Sequence, residues 1–95
     1  MKNIVAQTIL EQLGGNKFLA MTGSKNLVGH EKTLTMKLTK NKISAKWLRI
    51  TLNNNDLYKM EFIGGDCSIK VVLDNVYGNM LQESFTNVTG LFTKL

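Results

Sequence analysis

Four stretches of the chain, residues 33–39, 47–53, 58–62 and 68–74, alternate apolar with polar side chains. Period-two alternation marks a strand that buries one face. It groups Leu34, Met36 and Leu38 with Leu48, Ile50 and Leu52, with Tyr58, Met60 and Phe62, and with Ile69, Val71 and Leu73. A slip of one residue would turn a strand inside out, so the pattern fixes parity at every turn. Asn54-Asn55-Asp56 predicts a three-residue hairpin loop that sets Ile50 opposite Met60. Gly64-Gly65-Asp66-Cys67 predicts a loop that sets Met60 opposite Val71. Both contain residues that tolerate positive φ.

Helical signals bracket this meander. Over residues 3–13, Ile4, Val5, Ile9, Leu10 and Leu13 fall on one stripe, and Gly14-Gly15 supplies a left-handed stop. Near the other end, Tyr77, Met80, Leu81, Phe85 and Val88 follow the i, i+3, i+4, i+8, i+11 spacing of a single apolar face. Asn75 reads as its N-cap and Gly90 as its C′ residue, with Leu91 and Phe92 able to fold back on the helix end. Residues 17–22 are compact and apolar without alternation, and read as a further strand; 23–32 read as a polar connection. The expected fold is α+β: a two-layer sandwich, in which an antiparallel four- to five-stranded meander carries an N-terminal and a C-terminal helix on one face. The other face is then free.

The 95 residues are read as a single domain, 1–95, and 43% hydrophobic residues suffice for its core. A large, deep active site has no room in such an interior, so function belongs on a face or a loop cluster. The single cysteine, Cys67, cannot form an intramolecular disulfide. Gln7, Thr8, Glu11 and Gln12 interrupt the first apolar stretch, so it does not read as a signal peptide, and no run reaches the length of a membrane span. These features predict a cytoplasmic protein with no membrane partner.

Twelve Lys+Arg against seven Asp+Glu give +5, a moderate bias toward acidic partners. The expected register puts Lys37 beside Arg49, Arg49 beside Glu61 and Glu61 beside Lys70, all on the free face. A second row joins Thr35, Thr51, Lys59 and Val72, and Trp47 stands opposite Thr39. Such a row is an ordinary cross-strand charge ladder in many sheets. Two features go beyond that. Residues 37–49 hold Lys37, Lys40, Lys42, Lys46 and Arg49 with no acid, and Trp47, the only tryptophan, is turned outward by the alternation. An exposed indole among lysines suits an anchor for a protein partner or a base; equally, Trp47 could wrap the sheet rim and cover Ile43. The candidate binding residues are therefore Trp47, Arg49, Lys37, Lys40, Lys42 and Lys46.

Catalytic patterns are sparse. His30, the only histidine, lies in a polar stretch beside Glu31 and lacks the companions of a zinc site. Met21-Thr22-Gly23-Ser24-Lys25 departs from the Gly-x-x-x-x-Gly-Lys-Ser/Thr phosphate loop, and adjacent residues such as Ser24 and Lys25 rarely point together. The seven acids are scattered. The reading is a non-enzyme with no metal and no cofactor; a small-molecule function would require a pocket around Thr22–Lys25 and His30.

The segments Thr8-Ile9-Leu10-Glu11-Gln12-Leu13-Gly14-Gly15-Asn16-Lys17-Phe18, Met21-Thr22-Gly23, Arg49-Ile50-Thr51-Leu52 and Met80-Leu81-Gln82-Glu83-Ser84-Phe85-Thr86, with Thr89-Gly90-Leu91, span much of the chain. In them the sequence resembles a group of small accessory proteins of unknown function encoded by bacteriophages, prophages and other mobile elements. The resemblance implies an accessory protein working in the cytoplasm of a bacterial host. It implies no catalytic residues; residues 21–26 and the lysine-rich stretch carry less of the similarity, so it assigns nothing to the basic patch. Joined to the residue reading, it predicts binding of a host or phage protein through the basic, Trp-containing sheet face. DNA or RNA bound without sequence specificity is the alternative, since a lone arginine offers little base readout. A homodimer formed through an uncovered edge strand is also expected, with edge lysines opposing it.

Overall fold

The computed structural model describes residues 4–53 and 56–91. Two helices, α1 (Ile4–Leu13) and α2 (Gly15–Thr22), precede strands β1 (Lys25–His30), β2 (Thr33–Lys37), β3 (Ala45–Leu52), β4 (Tyr58–Gly64) and β5 (Ile69–Val76). A 3₁₀ turn (Gly78–Met80) then leads into α3 (Leu81–Thr89). The strands form one antiparallel sheet in the order β1-β2-β3-β4-β5. This is the expected α+β architecture with one more helix than the sequence suggested.

The core lies between the helices and one sheet face. Ile9 and Leu13 of α1, Phe18 of α2, and Leu81 and Phe85 of α3 are fully buried with Met36, Leu48, Ile50, Met60 and Phe62. Phe85 links the layers: its ring lies edge-on to Phe18 at 5.0 Å and 6.5 Å from Phe62. Edge-to-face contact adds to the area term that drives such packing.

Residues 17–22, read as a strand, are helical. Phe18 and Thr22, four apart, are the buried positions of α2, and the Thr22 hydroxyl donates to the Phe18 carbonyl at 2.8 Å. Gly14 and Gly15, at φ 125° and 62°, end α1 at Leu13 as expected, and also turn the chain directly into α2. Gly23, at φ 70°, closes α2 by donating its N–H to the Leu19 carbonyl at 2.9 Å. The first strand instead lies inside the supposed connection 23–32. In β1 only Leu27 is half-buried, so no alternation betrays it.

The start of α3 also differs. Asn75 is not a cap but lies in β5 at φ 57°. Tyr77 and Met80, placed on the apolar stripe by spacing, are exposed, and the helix buries Leu81, Phe85 and Thr89. Gly90 ends it as expected, at φ 77° with its N–H on the Thr86 carbonyl. Phe92 lies outside the described residues.

Register follows expectation at β3–β4, where Ile50 faces Met60 and Arg49 faces Glu61; loop residues 54 and 55 lie outside the described residues. At β2–β3 it is shifted by two residues: Thr35 faces Arg49 and Lys37 faces Trp47, in place of Lys37 and Thr39. Thr39 has left the sheet, its hydroxyl donating to the Thr22 carbonyl at the end of α2 (2.7 Å).

The β4–β5 turn is one residue tighter than expected. The Gly64 N–H bonds the Ser68 carbonyl, and the loop is Gly65-Asp66-Cys67 with Cys67 at φ 68°. That turn alone would set Lys70 opposite Phe62 on the core face. A bulge between Ile69 and Val71 skips Lys70 and brings Val71 opposite Phe62. A second bulge passes over Asn75, so that Val76 faces Tyr58. Met60 thus faces Leu73 rather than Val71, and Glu61 faces Val72 rather than Lys70. Val71 and Leu73 thus keep their expected inward face, but Ile69, grouped with them by the alternation, is turned outward by the bulge to face Ile63 and is 51% exposed.

Candidate docking face

The opposite sheet face is built from the residues that alternate with the core. Three cross-strand rows run over it: Lys25–Lys37–Trp47–Ile63–Ile69, Val28–Thr35–Arg49–Glu61–Val72, and Thr33–Thr51–Lys59. No described helix covers it. Val28, Ile69 and Val72 are 60%, 51% and 42% exposed. Ile63 and Trp47 are half-buried between their neighbours. The indole therefore neither stands clear of the sheet nor enters the core.

Arg49 and Glu61 form a bidentate pair at the centre, Nε to Oε1 at 2.8 Å and Nη2 to Oε2 at 3.1 Å. The guanidinium beside it holds the Glu61 carboxyl below the usual carboxylate range, against the opposing effect of burial. The same hydrogen bond raises Arg49. Arg49 is thus a neutralised, positioned group and not a free cation. Beside it, the Thr33 and Thr51 hydroxyls lie 3.3 Å apart.

The candidate residues do not share one face. Lys37, Trp47 and Arg49 belong to the open face. Lys42 is turned toward α3: its N–H bonds the Thr89 carbonyl at 2.9 Å and its ammonium the Asn87 carbonyl at 3.3 Å. There it complements the negative end of the helix. Lys40 and Lys46 line a groove beside the β2–β3 loop. The basic row expected along one register line is in fact a basic end of the sheet. Lys25, Lys37, Lys40, Lys42, Lys46 and Lys70 gather where β1, β3 and β5 begin, with Asp66 among them. Toward the other end, Lys32 and Lys59 lie among Glu31, Asp56 and Asp74.

Sequence reasoning missed two parts of this face. Lys25 lies directly across from Lys37, a destabilising like-charge juxtaposition; it was hidden because β1 shows no alternation. Ile63, Ile69 and Val72, on the neighbouring strands β4 and β5, also form an aliphatic group on the outward side, while Val28 stands apart on the opposite edge strand. Ile63 continues the outward parity of Lys59 and Glu61, and that was the available signal.

Around Thr22–Lys25 the polar side chains are spent on structure. The buried Thr22 and Ser24 hydroxyls bond each other at 2.8 Å, and the Ser24 N–H bonds the Thr22 hydroxyl. His30 lies at the far end of β1 from Lys25, roughly 17 Å away at strand rise. Among the described residues no group of three or more His, Cys, Asp or Glu could hold a metal ion. No described helix is long and apolar enough to cross a membrane.

Comparison with known proteins returns no match: no family model, no curated sequence and no solved structure resembles the chain.

Proposed function

We propose that the protein acts without catalysis, by docking another protein on its helix-free sheet face. The observation that carries this reading is the aliphatic group Ile63, Ile69 and Val72 beside Trp47, flanked by Lys25 and Lys37. Branched aliphatic side chains give bases no stacking platform, whereas an apolar centre with a charged rim suits a protein interface. The complementary partner surface is apolar and bordered by carboxylates. Following the sequence resemblance, that partner belongs to a bacterial host or to the mobile element itself.

Lys25 and Lys37 side by side next to an indole favour one second reading, a nucleic-acid strand tracked through its phosphates. The two readings separate by experiment. A partner captured by the wild type is purified and its binary affinity measured against Trp47→Ala/Ile69→Asp, with Lys32→Gln at the opposite end as control. Loss of about thirty-fold in the double variant alone supports protein docking, since a central tryptophan anchor carries about 2 kcal/mol. Equal affinity in all three rejects this face. Gel shift of an oligonucleotide, with log affinity falling against log salt at a slope of roughly −0.7 per phosphate for a single strand, establishes the second reading instead.

A further inference from the structure

We propose that the groove where β2 turns into β3 binds a phosphate-type oxyanion carried by a small molecule. The groove is half open to solvent, offers about 270 Å³ and is lined by Leu38, Thr39, Lys40, Ser44, Ala45 and Lys46. It is separate from the docking face, because Leu38 and Ala45 belong to the buried side of the sheet. The proposal therefore stands whether or not the docking reading does.

The chemistry of the wall is one-sided. Lys40 and Lys46 make no ion pair among the described residues, and the Ser44 hydroxyl makes no hydrogen bond among them. The Thr39 hydroxyl gives its proton to the Thr22 carbonyl. No carboxylate lines the groove. Lys40, Lys46 and Ser44 thus border an apolar floor, Leu38 and Ala45 being 5% and 3% exposed, with the Lys46 stem lying on the Gly65 side. A low-dielectric floor strengthens attraction to an anion placed above it. An oxyanion in the groove would take the Lys40 ammonium and the Ser44 hydroxyl as donors, with Lys46 swinging from Gly65 to close on it, and charge-assisted bonds of this kind are the strong ones.

The groove is also held open by its frame. The Asn41 side chain donates to the Thr39 and Ala45 carbonyls, both at 2.8 Å, and accepts from the Ile43 and Ala45 N–H groups at 3.3 and 3.1 Å. The Leu38 N–H on the Lys46 carbonyl, at 2.8 Å, closes the base of the loop. Thr39 ties one arm to α2, and Lys42 ties the tip to α3. Ser44 is kept at φ 58°, a strained backbone conformation for a residue with a side chain. The Lys46 stem runs along Gly65, where an added Cβ would come within 3.3 Å of it. A bare backbone there leaves a track for the lysine. The volume is near the lower end for ligand pockets, enough for a phosphate with a small organic group and too little for a large ligand.

The test is a two-dimensional NMR titration at fixed ionic strength, replacing chloride by inorganic phosphate in one arm and by adenosine 5′-monophosphate in another. Saturable shifts confined to residues 38–46 are expected, with dissociation constants of roughly millimolar order for so small a ligand. Lys40→Gln/Lys46→Gln should weaken binding at least about five-fold, while Lys32→Gln, the control for lost charge, changes it less than about two-fold. Tighter binding of the nucleotide identifies an ester as the ligand; equal affinity identifies free phosphate. Shifts that do not saturate, that spread over every lysine, or that persist unchanged in the folded double variant overturn the proposal. So does binding seen only with an oligonucleotide that lacks terminal phosphates.

Discussion

Arg49 grips both carboxylate oxygens of Glu61 from the neighbouring strand, on a sheet face that no described helix covers. The glutamate side chain is 10% exposed and that of the arginine 43%. Discounted for the solvent around Arg49, Glu61→Gln should cost on the order of 1 kcal/mol at neutral pH. Because the folded carboxyl is held below the ordinary glutamate value by Arg49, its contribution is complete above the unfolded value and fades as pH falls through the folded one. Urea denaturation of wild type and variant should therefore differ at pH 7 and converge toward pH 3. A constant difference would mean that the pair is not the source.

Asn41 saturates its amide in the β2–β3 loop. Asn41→Ala removes all four of its hydrogen bonds and should cost about 1–3 kcal/mol. Hydrogen exchange at Ile43 and Ala45 should accelerate more than in the sheet centre, at Ile50 or Met60.

Gly23 and Gly90 close their helices with similar left-handed backbones, at φ 70° and 77°. Alanine at either position meets the conformational cost of about 1 kcal/mol. At Gly23 the new methyl would also lie 2.8 Å from the Thr39 side chain, whereas at Gly90 its nearest neighbour is Lys42 at 3.6 Å. Gly23→Ala should thus lower the melting temperature clearly more than Gly90→Ala; the reverse order would contradict the packing.

Phe85 joins α2, α3 and the sheet through two ring contacts. Phe85→Ala should cost about 3–5 kcal/mol, a large part of the stability of a domain this small. Chemical denaturation should show a marked fall in midpoint, with Phe85→Leu recovering much of it.

The buried face was legible in the sequence because parity is robust. Leu48, Ile50, Met60 and Phe62 are inside whatever the exact register. Partners across the strands were not, because bulges at Lys46, Lys70 and Asn75 change neighbours and break the alternation, so that Ala45 and Val76 turn inward and Ile69 outward. Helix α2 was missed for lack of length: eight residues with two buried positions do not separate period 3.6 from period two. The candidate site suffered from the same cause. Lys37, Trp47 and Arg49 were placed on the correct face, but Lys42 was not, since a loop has no parity to read. Of the aliphatic cluster only Val72 was read as outward; Ile69 was read as core-facing, and the patch emerged only once the bulge paired it with Ile63.

Both outermost strands carry an extra residue against their inner neighbour, and an asparagine in the left-handed conformation accompanies one in each: Asn26 in β1 and Asn75 in β5. A stranger's backbone laid along either border would meet a crooked ladder of donors and acceptors, out of step with its own. Strand-by-strand growth is thereby discouraged on both sides. The docking proposed above is left to the broad pleated surface, where a visitor would have to match side chains and not the amide spine.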